Sequence, residues 1–195
     1  MESLLKRVIV DALDATLHDM AEELSRTPLS YWDESVFRFF FVRAFLHRNP
    51  EAKCHLEWNQ IDLVVQCFDE NALAEFKFFR SEPMYNLAGK RLRFKGRAGK
   101  KNFREFCDCV TKLASIEKTA WQLKQEERID AKFLILAYEH RADLLGEKAF
   151  RHWYDDVQLP NDLPCKDSFG TVKNFEPIVC RESNREINFK LFAVA

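Results

Sequence analysis

The run of residues 72–79 constrains this chain most, because it places two opposite charges inside an otherwise apolar segment. A β-strand alternates its side chains between two faces, so Glu75 and Lys77 leave one side of a sheet while their apolar neighbours leave the other. Charges in so hydrophobic a strand are costly to bury unless they are paired or bind a ligand. The pair is therefore a candidate site.

The composition indicates a folded protein with an aromatic core. A chain of 195 residues is long enough to bury a sizeable core, and we expect one domain over residues 1–195. The chain holds 18 Phe against only 5 Gly, which is typical of dense aromatic packing. The formal net charge of -1 gives no nucleic-acid signal for the whole protein, so any such signal has to be local.

The cysteines and the N-terminus predict a reducing compartment. None of the 6 cysteines shows the paired two-residue spacing of a zinc or iron–sulfur site. Because the N-terminus also lacks a signal-peptide pattern, we expect reduced thiols in a cytoplasmic protein. The Phe-rich stretch at 39–41 is too short to span a bilayer and predicts a core helix, so no membrane partner is expected.

Hydrophobic periodicity predicts an alternation of helices and strands. Helical spacing is found over residues 3–24, about 31–47, about 102–124 and 146–157. Alternating or continuous apolar runs predict strands over residues 52–58, 61–67, 72–79, 132–138 and 187–195. A short turn near 68–71 predicts a hairpin, and a polar loop covers residues 80–101. This order predicts a central sheet with helices on both faces.

The hairpin brings Asp62 to the charged pair. Directly opposed residues of antiparallel strands share a face, and their numbers sum to a constant. A two-residue turn at Phe68-Asp69 places Asp62 opposite Glu75, whereas a turn shifted by one residue places it opposite Lys77. Either register gathers the three charged side chains on one face.

The chemistry that these residue types favour is metal-assisted hydrolysis of a phosphodiester. Two adjacent carboxylates repel unless a cation joins them, and their oxygens suit Mg²⁺ or Mn²⁺. A lysine beside a metal-bound water can orient it and stabilise charge developing on a phosphate. Glu34 is a candidate third carboxylate, since helical spacing places it over the face that carries Phe37 and Phe41. Its neighbour Asp33 is better explained as a helix cap.

Asp62, followed after a short hairpin by Glu75-Phe76-Lys77 and preceded by a helix with Glu34, resembles the PD-(D/E)xK nuclease superfamily. The resemblance implies a restriction-endonuclease-like fold of the α/β class. This is a three-layer α/β/α sandwich with a mixed central sheet. Its core would cover about residues 31–140, with an added N-terminal helix and a C-terminal extension as decorations.

The resemblance also implies an activity and roles for the site residues. Members of the superfamily cut DNA, less often RNA, with one or two divalent metals. Asp62 and Glu75 would be metal ligands, Lys77 the catalytic lysine and Glu34 an auxiliary carboxylate. The family's proline before the aspartate is replaced by Ile61. The expectation is a Mg²⁺-dependent endodeoxyribonuclease, its oligomeric state left open because many nucleases that cut both strands form homodimers.

A basic segment supports a nucleic-acid partner. Residues 90–104 contain no acid and interleave basic residues with two phenylalanines and two glycines, a pattern that suits a loop gripping a phosphate backbone. The alternative is a solvated basic face. The candidate nucleic-acid-binding residues are Lys90, Arg91, Arg93, Lys95, Arg97, Lys100, Lys101 and Arg104.

Two alternatives remain at this point. Glu75 and Lys77 could form an ion pair on a solvated strand, which would contribute little stability. The whole chain could also be a catalytically inactive nucleic-acid- or protein-binding module of the same fold in a defence, repair or recombination assembly. Such a module would bind DNA in a salt-dependent way without metal-dependent turnover.

Overall fold

The protein, for which we use a computed structural model, is built on a mixed β-sheet with helices on both faces. The structure describes residues 4–58, 60–81, 98–116, 128–163, 165–180 and 185–195. The helices in these ranges are α1 (Leu4–Leu24), α2 (Glu34–Arg48), α3 (Lys100–Ser115) and α4 (Phe150–Tyr154). The strands are β1 (Lys53–Trp58), β2 (Ile61–Cys67), β3 (Glu70–Phe79), β4 (Ala131–Arg141), β5 (Phe169–Asn174), β6 (Ile178–Cys180) and β7 (Arg185–Val194).

The sheet combines antiparallel hairpins with one parallel pair. Its strand order is β1-β2-β3-β4-β7-β5, and the short β6 also pairs with β7. Strands β1, β2 and β3 form an antiparallel meander, β3 runs parallel to β4, and β7 is antiparallel to β4. A parallel pair needs a long crossover connection, and the segment containing α3 supplies it. The predicted α/β class and mixed sheet are confirmed.

The turn between β2 and β3 selects one of the two predicted registers. Cys67 pairs with Glu70, so the turn consists of Phe68 and Asp69 alone. Both turn residues have positive φ, 55° and 61°, as the common two-residue hairpin turn requires. This turn places Asp62 and Glu75 one position beyond the last paired residues of the two strands.

The two faces of the sheet carry separate apolar clusters, which confirms helices on both sides. On the first face α1 and α2 cover the sheet, and Phe76 meets Phe37 and Phe41 with ring centroids 5.5 Å apart in each pair. On the second face α3 and α4 cover it, and Phe79 stacks on Tyr154 at 5.2 Å. Glu75 and Lys77 alternate with Phe76 along β3, so they belong to the second face.

Several predicted boundaries differ from the structure. The helix predicted over about residues 102–124 is α3, which ends at Ser115. Helix α2 begins at Glu34 rather than at residue 31, because Asp33 caps it by accepting a hydrogen bond from Val36 N at 2.9 Å. The predicted loop 80–101 ends earlier, since α3 begins at Lys100. The single helix predicted over 146–157 is wrong: a 3₁₀ turn and the five residues of α4 take its place.

The C-terminal region contributes more to the sheet than the sequence indicated. Strand β7 pairs with β4 from Phe133↔Ala193 to Arg141↔Arg185, so it lies inside the sheet. Strands β5 and β6 were not predicted. The side chains of β5 are all exposed or half-buried and β6 has only three residues, so neither carries a strong apolar alternation.

Two further findings concern the cysteines and the helices. All six cysteines are free thiols. Among the helices that the structure describes, none combines the length and the apolar character needed to cross a membrane.

Replacement of Phe76 by alanine tests the packing of the first face. Phe76 has no exposed surface, and its loss leaves a cavity between the sheet and α2. We expect Phe76→Ala to lower the free energy of unfolding by about 3–5 kcal/mol, measured by urea denaturation. Phe39→Ala is the matched control, because Phe39 is 61 % exposed and its loss should cost less than about 0.5 kcal/mol. Equal losses for the two variants would contradict this packing.

Candidate functional site

Strands β2 and β3 separate where the candidate residues lie. Their pairing ends at Leu63↔Ala74, whereas β3 stays paired with β4 as far as Phe79↔Tyr138. The backbone groups of β3 that face β2 beyond Ala74 therefore have no strand partner. Side chains from both strands take the place of the missing strand partner.

Phe76 shows this replacement most directly. The N–H and the C=O of one strand residue point to the same side of the strand. Phe76 N–H donates to Asp62 Oδ2 at 2.8 Å, and the Phe76 carbonyl accepts a hydrogen bond from Lys77 Nζ at 2.8 Å. The separation of the strands thus fixes the side chains of Asp62 and Lys77, because both hydrogen-bond the backbone of Phe76.

The carboxyl groups of Asp62 and Glu75 are neighbours in this opening. Burial first, and the Asp62 carboxyl second, raise the pKa of Glu75 from 4.5 to about 7, against the opposing effect of Lys112. Glu75 is only 2 % exposed, so little water reaches its charge. The two carboxyl groups therefore interact across the opening.

Lys77 lies in the same cluster as a buried ammonium group. Its Nζ is 3.5 Å from both carboxylate oxygens of Glu34, which α2 presents from its first turn. Burial acts to lower the pKa of Lys77, but Glu34, Cys109, Asp62 and Glu75 outweigh it and raise that pKa above its ordinary value. Lys77 is consequently suited to stabilise negative charge and not to accept a proton at neutral pH.

Two cations that the sequence did not single out complete the cluster. Arg38 donates to Asp62 Oδ1 and to Glu57 Oε1, each at 2.9 Å. Lys112 of α3 forms an ion pair with Glu75 Oε1 and donates to the Gln60 carbonyl at 2.7 Å.

The two added cations differ in how far the sequence could reveal them. Arg38 lies four residues after Glu34, so helical spacing places it on the same face of α2. No comparable signal marks Lys112, because its contact with Glu75 depends on how α3 docks against the sheet.

The donor chemistry of the cluster fits a hard divalent cation. Asp62 and Glu75 offer adjacent carboxylate oxygens, which Mg²⁺ and Mn²⁺ prefer. Glu75 Oε1 is buried and, in the described part of the chain, has the ion pair with Lys112 but no hydrogen bond. Within the same residues no group of three or more His, Cys, Asp or Glu side chains is arranged around one point. A cation would therefore have two protein carboxylates as ligands and would compete with Lys112.

The predicted basic segment is described only in part. Five of its residues lie outside the described ranges: Lys90, Arg91, Arg93, Lys95 and Arg97. Lys100, Lys101 and Arg104 lie in the first turns of α3 and are all exposed. A role for these residues in nucleic-acid binding stays a prediction.

The raised pKa of Glu75 predicts a pH-dependent effect of its neutral isostere. Since the folded protein holds this proton to about pH 7 and the unfolded chain only to about 4.5, the folded state loses stability as pH rises through that interval. Glu75→Gln removes this loss, so its stability relative to the unsubstituted protein should be higher at pH 8 than at pH 5. Urea denaturation of both proteins at the two pH values measures the difference. A difference that does not change with pH would show that the Glu75 carboxyl is unperturbed.

Comparisons with known proteins found no match to this chain. No family model, no curated protein and no solved structure matches the chain.

Proposed function

We propose that this protein is a metal-dependent nuclease that hydrolyses phosphodiester bonds in DNA. The observation that carries the proposal is the separation of β2 from β3, where Asp62 and Glu75 are adjacent and Lys77 lies beside them. Two carboxylates and a buried ammonium group at a break in a sheet are the groups that metal-assisted phosphodiester hydrolysis needs.

The proposed fold is restriction-endonuclease-like. Its support is the order of α2, the β1–β2–β3 meander, α3 and the parallel strand β4, which is the order that the sequence resemblance implies. Helix α1 and the strands after β4 would be additions to that core.

The roles of the residues follow from their charges and positions. A divalent ion, when bound, supplies polarisation of the phosphate and a more acidic water. Asp62 and Glu75 would hold it. Lys77, kept protonated by Glu34 and its neighbours, stabilises negative charge on the phosphate oxygens. Lys112, once separated from Glu75, offers a second ammonium group to the same phosphate.

A second candidate function has an observation of its own. Each carboxylate of the cluster already has a cationic partner: Asp62 has Arg38, Glu75 has Lys112 and Glu34 has Lys77. A site neutralised by its own side chains needs no metal for stability, as in an inactive binding module. The two functions differ in whether a divalent ion binds the cluster and supports turnover.

Replacement of Lys77 tests the catalytic assignment. We expect Lys77→Ala to reduce DNA cleavage in Mg²⁺ or Mn²⁺ by at least about 100-fold, since it removes the charge that stabilises the transition state. The assay is a panel of single-stranded, double-stranded and branched DNA and of RNA, with and without Mn²⁺. Lys173→Ala is the control, because Lys173 pairs with Asp14 elsewhere on the surface. Cleavage by Lys77→Ala equal to that of the unsubstituted protein would refute the assignment.

Replacement of Lys112 distinguishes the nuclease from the binding module. If Mn²⁺ and Lys112 compete for Glu75, Lys112→Met should bind Mn²⁺ about tenfold more tightly than the unsubstituted protein, whereas the exposed control Lys148→Met should not. Calorimetry or electron paramagnetic resonance of bound Mn²⁺ measures this without any cleavage assay. An absence of saturable Mn²⁺ binding in all three proteins, with salt-dependent DNA binding retained, would favour the binding module.

A further inference from the structure

A cavity of about 400 Å³ lies between α3, α4 and the segment that follows α4. Its apolar lining includes Phe103, Trp153 and Leu163. This volume is within the usual range of ligand pockets, which is about 300–1,000 Å³.

The cavity is separate from the cluster around Glu75. Cys109 and Lys112 are the α3 residues that interact with Glu75. Cys107 lines the cavity, and two helical residues apart correspond to about 200° around the axis, so Cys107 and Cys109 lie on nearly opposite faces. Lys112 lies one helical turn beyond Asp108, so the cavity and the Glu75 cluster are adjacent along α3 but share none of these residues.

Two aromatic rings form a fixed wall of the cavity. The rings of Phe103 and Trp153 are in contact, with centroids 5.4 Å apart and planes inclined by 38°. The indole nitrogen of Trp153 donates to the Glu147 carbonyl at 3.0 Å, which holds the ring in place. Both side chains are half-buried, so part of each ring remains open to a ligand. Such a wall suits stacking of a planar aromatic group.

Charged groups of both signs line the same cavity. Lys100 and Arg104 are separated by one turn of α3, Asp108 follows one turn later, and Asp162 comes from the segment after α4. All four residues are exposed, so a ligand in the cavity can reach their charged groups. Cations suit a phosphate, and carboxylates suit N–H donors.

We propose that this cavity binds one unpaired nucleotide of a nucleic-acid strand. The base stacks on Trp153 and Phe103, Lys100 and Arg104 contact its phosphate, and the carboxylates accept from an exocyclic amine. Adenine and cytosine carry such an amine and thymine does not, so the cavity should prefer the former bases. The proposal rests on the proposed function for its substrate, a DNA strand, but it needs neither the metal nor the residues of the Glu75 cluster.

Binding of short single strands in EDTA tests the proposal. The probes are fluorescently labelled five-nucleotide strands of dA, dC and dT, followed by anisotropy. We expect dA and dC to bind at least threefold more tightly than dT, and Trp153→Leu and Arg104→Ala each to weaken dA binding about tenfold. Arg48→Ala is the matched control for Arg104→Ala, because Arg48 is an exposed arginine at the end of α2, on the other face of the sheet, and does not line the cavity. It should change affinity by less than twofold.

Asp162→Ala, in the segment that follows α4, tests the base preference without altering the aromatic wall, because it removes a carboxylate that would accept from the amine. It should lower the ratio of dA affinity to dT affinity. Equal weakening by Arg104→Ala and Arg48→Ala, with Trp153→Leu unaffected and correctly folded by circular dichroism, would overturn the cavity as a nucleotide site and leave only non-specific attraction between charges. The nuclease proposal is tested separately: it fails if Lys77→Ala cleaves DNA as well as the unsubstituted protein does.

Discussion

The backbone of Phe76, left without a strand partner where β2 leaves β3, is the constraint on which the site depends. A buried N–H or C=O that loses its partner costs free energy, so the opening between the strands requires polar side chains to satisfy it. Asp62 and Lys77 fill that requirement at 2.8 Å each. The break in strand pairing thus holds Asp62 and Lys77, two of the groups proposed for catalysis, in place.

Charge balance then decides which side chains surround the opening. Two carboxylates and an ammonium group buried together would be unstable without further partners, because each lost most of its hydration. Arg38 reaches Asp62 from α2, and Lys112 reaches Glu75 from α3. Helices on opposite faces of the sheet therefore meet at the same cluster. A bound cation would change this balance, because it would compete with Lys112 for Glu75.

Helix α3 links the charged cluster around Glu75 to the cavity near α4. Its apolar stripe of Phe106, Val110 and Leu113 is buried against the sheet and fixes the rotation of the helix. With that rotation fixed, Lys112 is directed to Glu75, while Phe103 and Arg104 line the cavity near α4. A strand of nucleic acid that contacts both would have to pass around this helix.

The sequence by itself determined the elements and the alternation that create the site. The period of two in residues 72–79 placed Glu75 and Lys77 on one face, and the hairpin limited Asp62 to two registers. Both depend on neighbours in the chain, whose geometry is nearly fixed by the backbone. The same holds for the apolar face of α2.

Only the tertiary structure decided the register, the partners and the C-terminal half of the sheet. The turn at Phe68-Asp69 sets the register that places Asp62 opposite Glu75. Docking of α3 against the sheet places Lys112 next to Glu75. Strands β5 and β6 and the short α4 show no strong local periodicity in the sequence. The two strands are defined by their pairing with β7, and α4 by its packing on the sheet. Contacts between distant segments are set by how whole elements pack, and that information is absent from any short stretch of sequence.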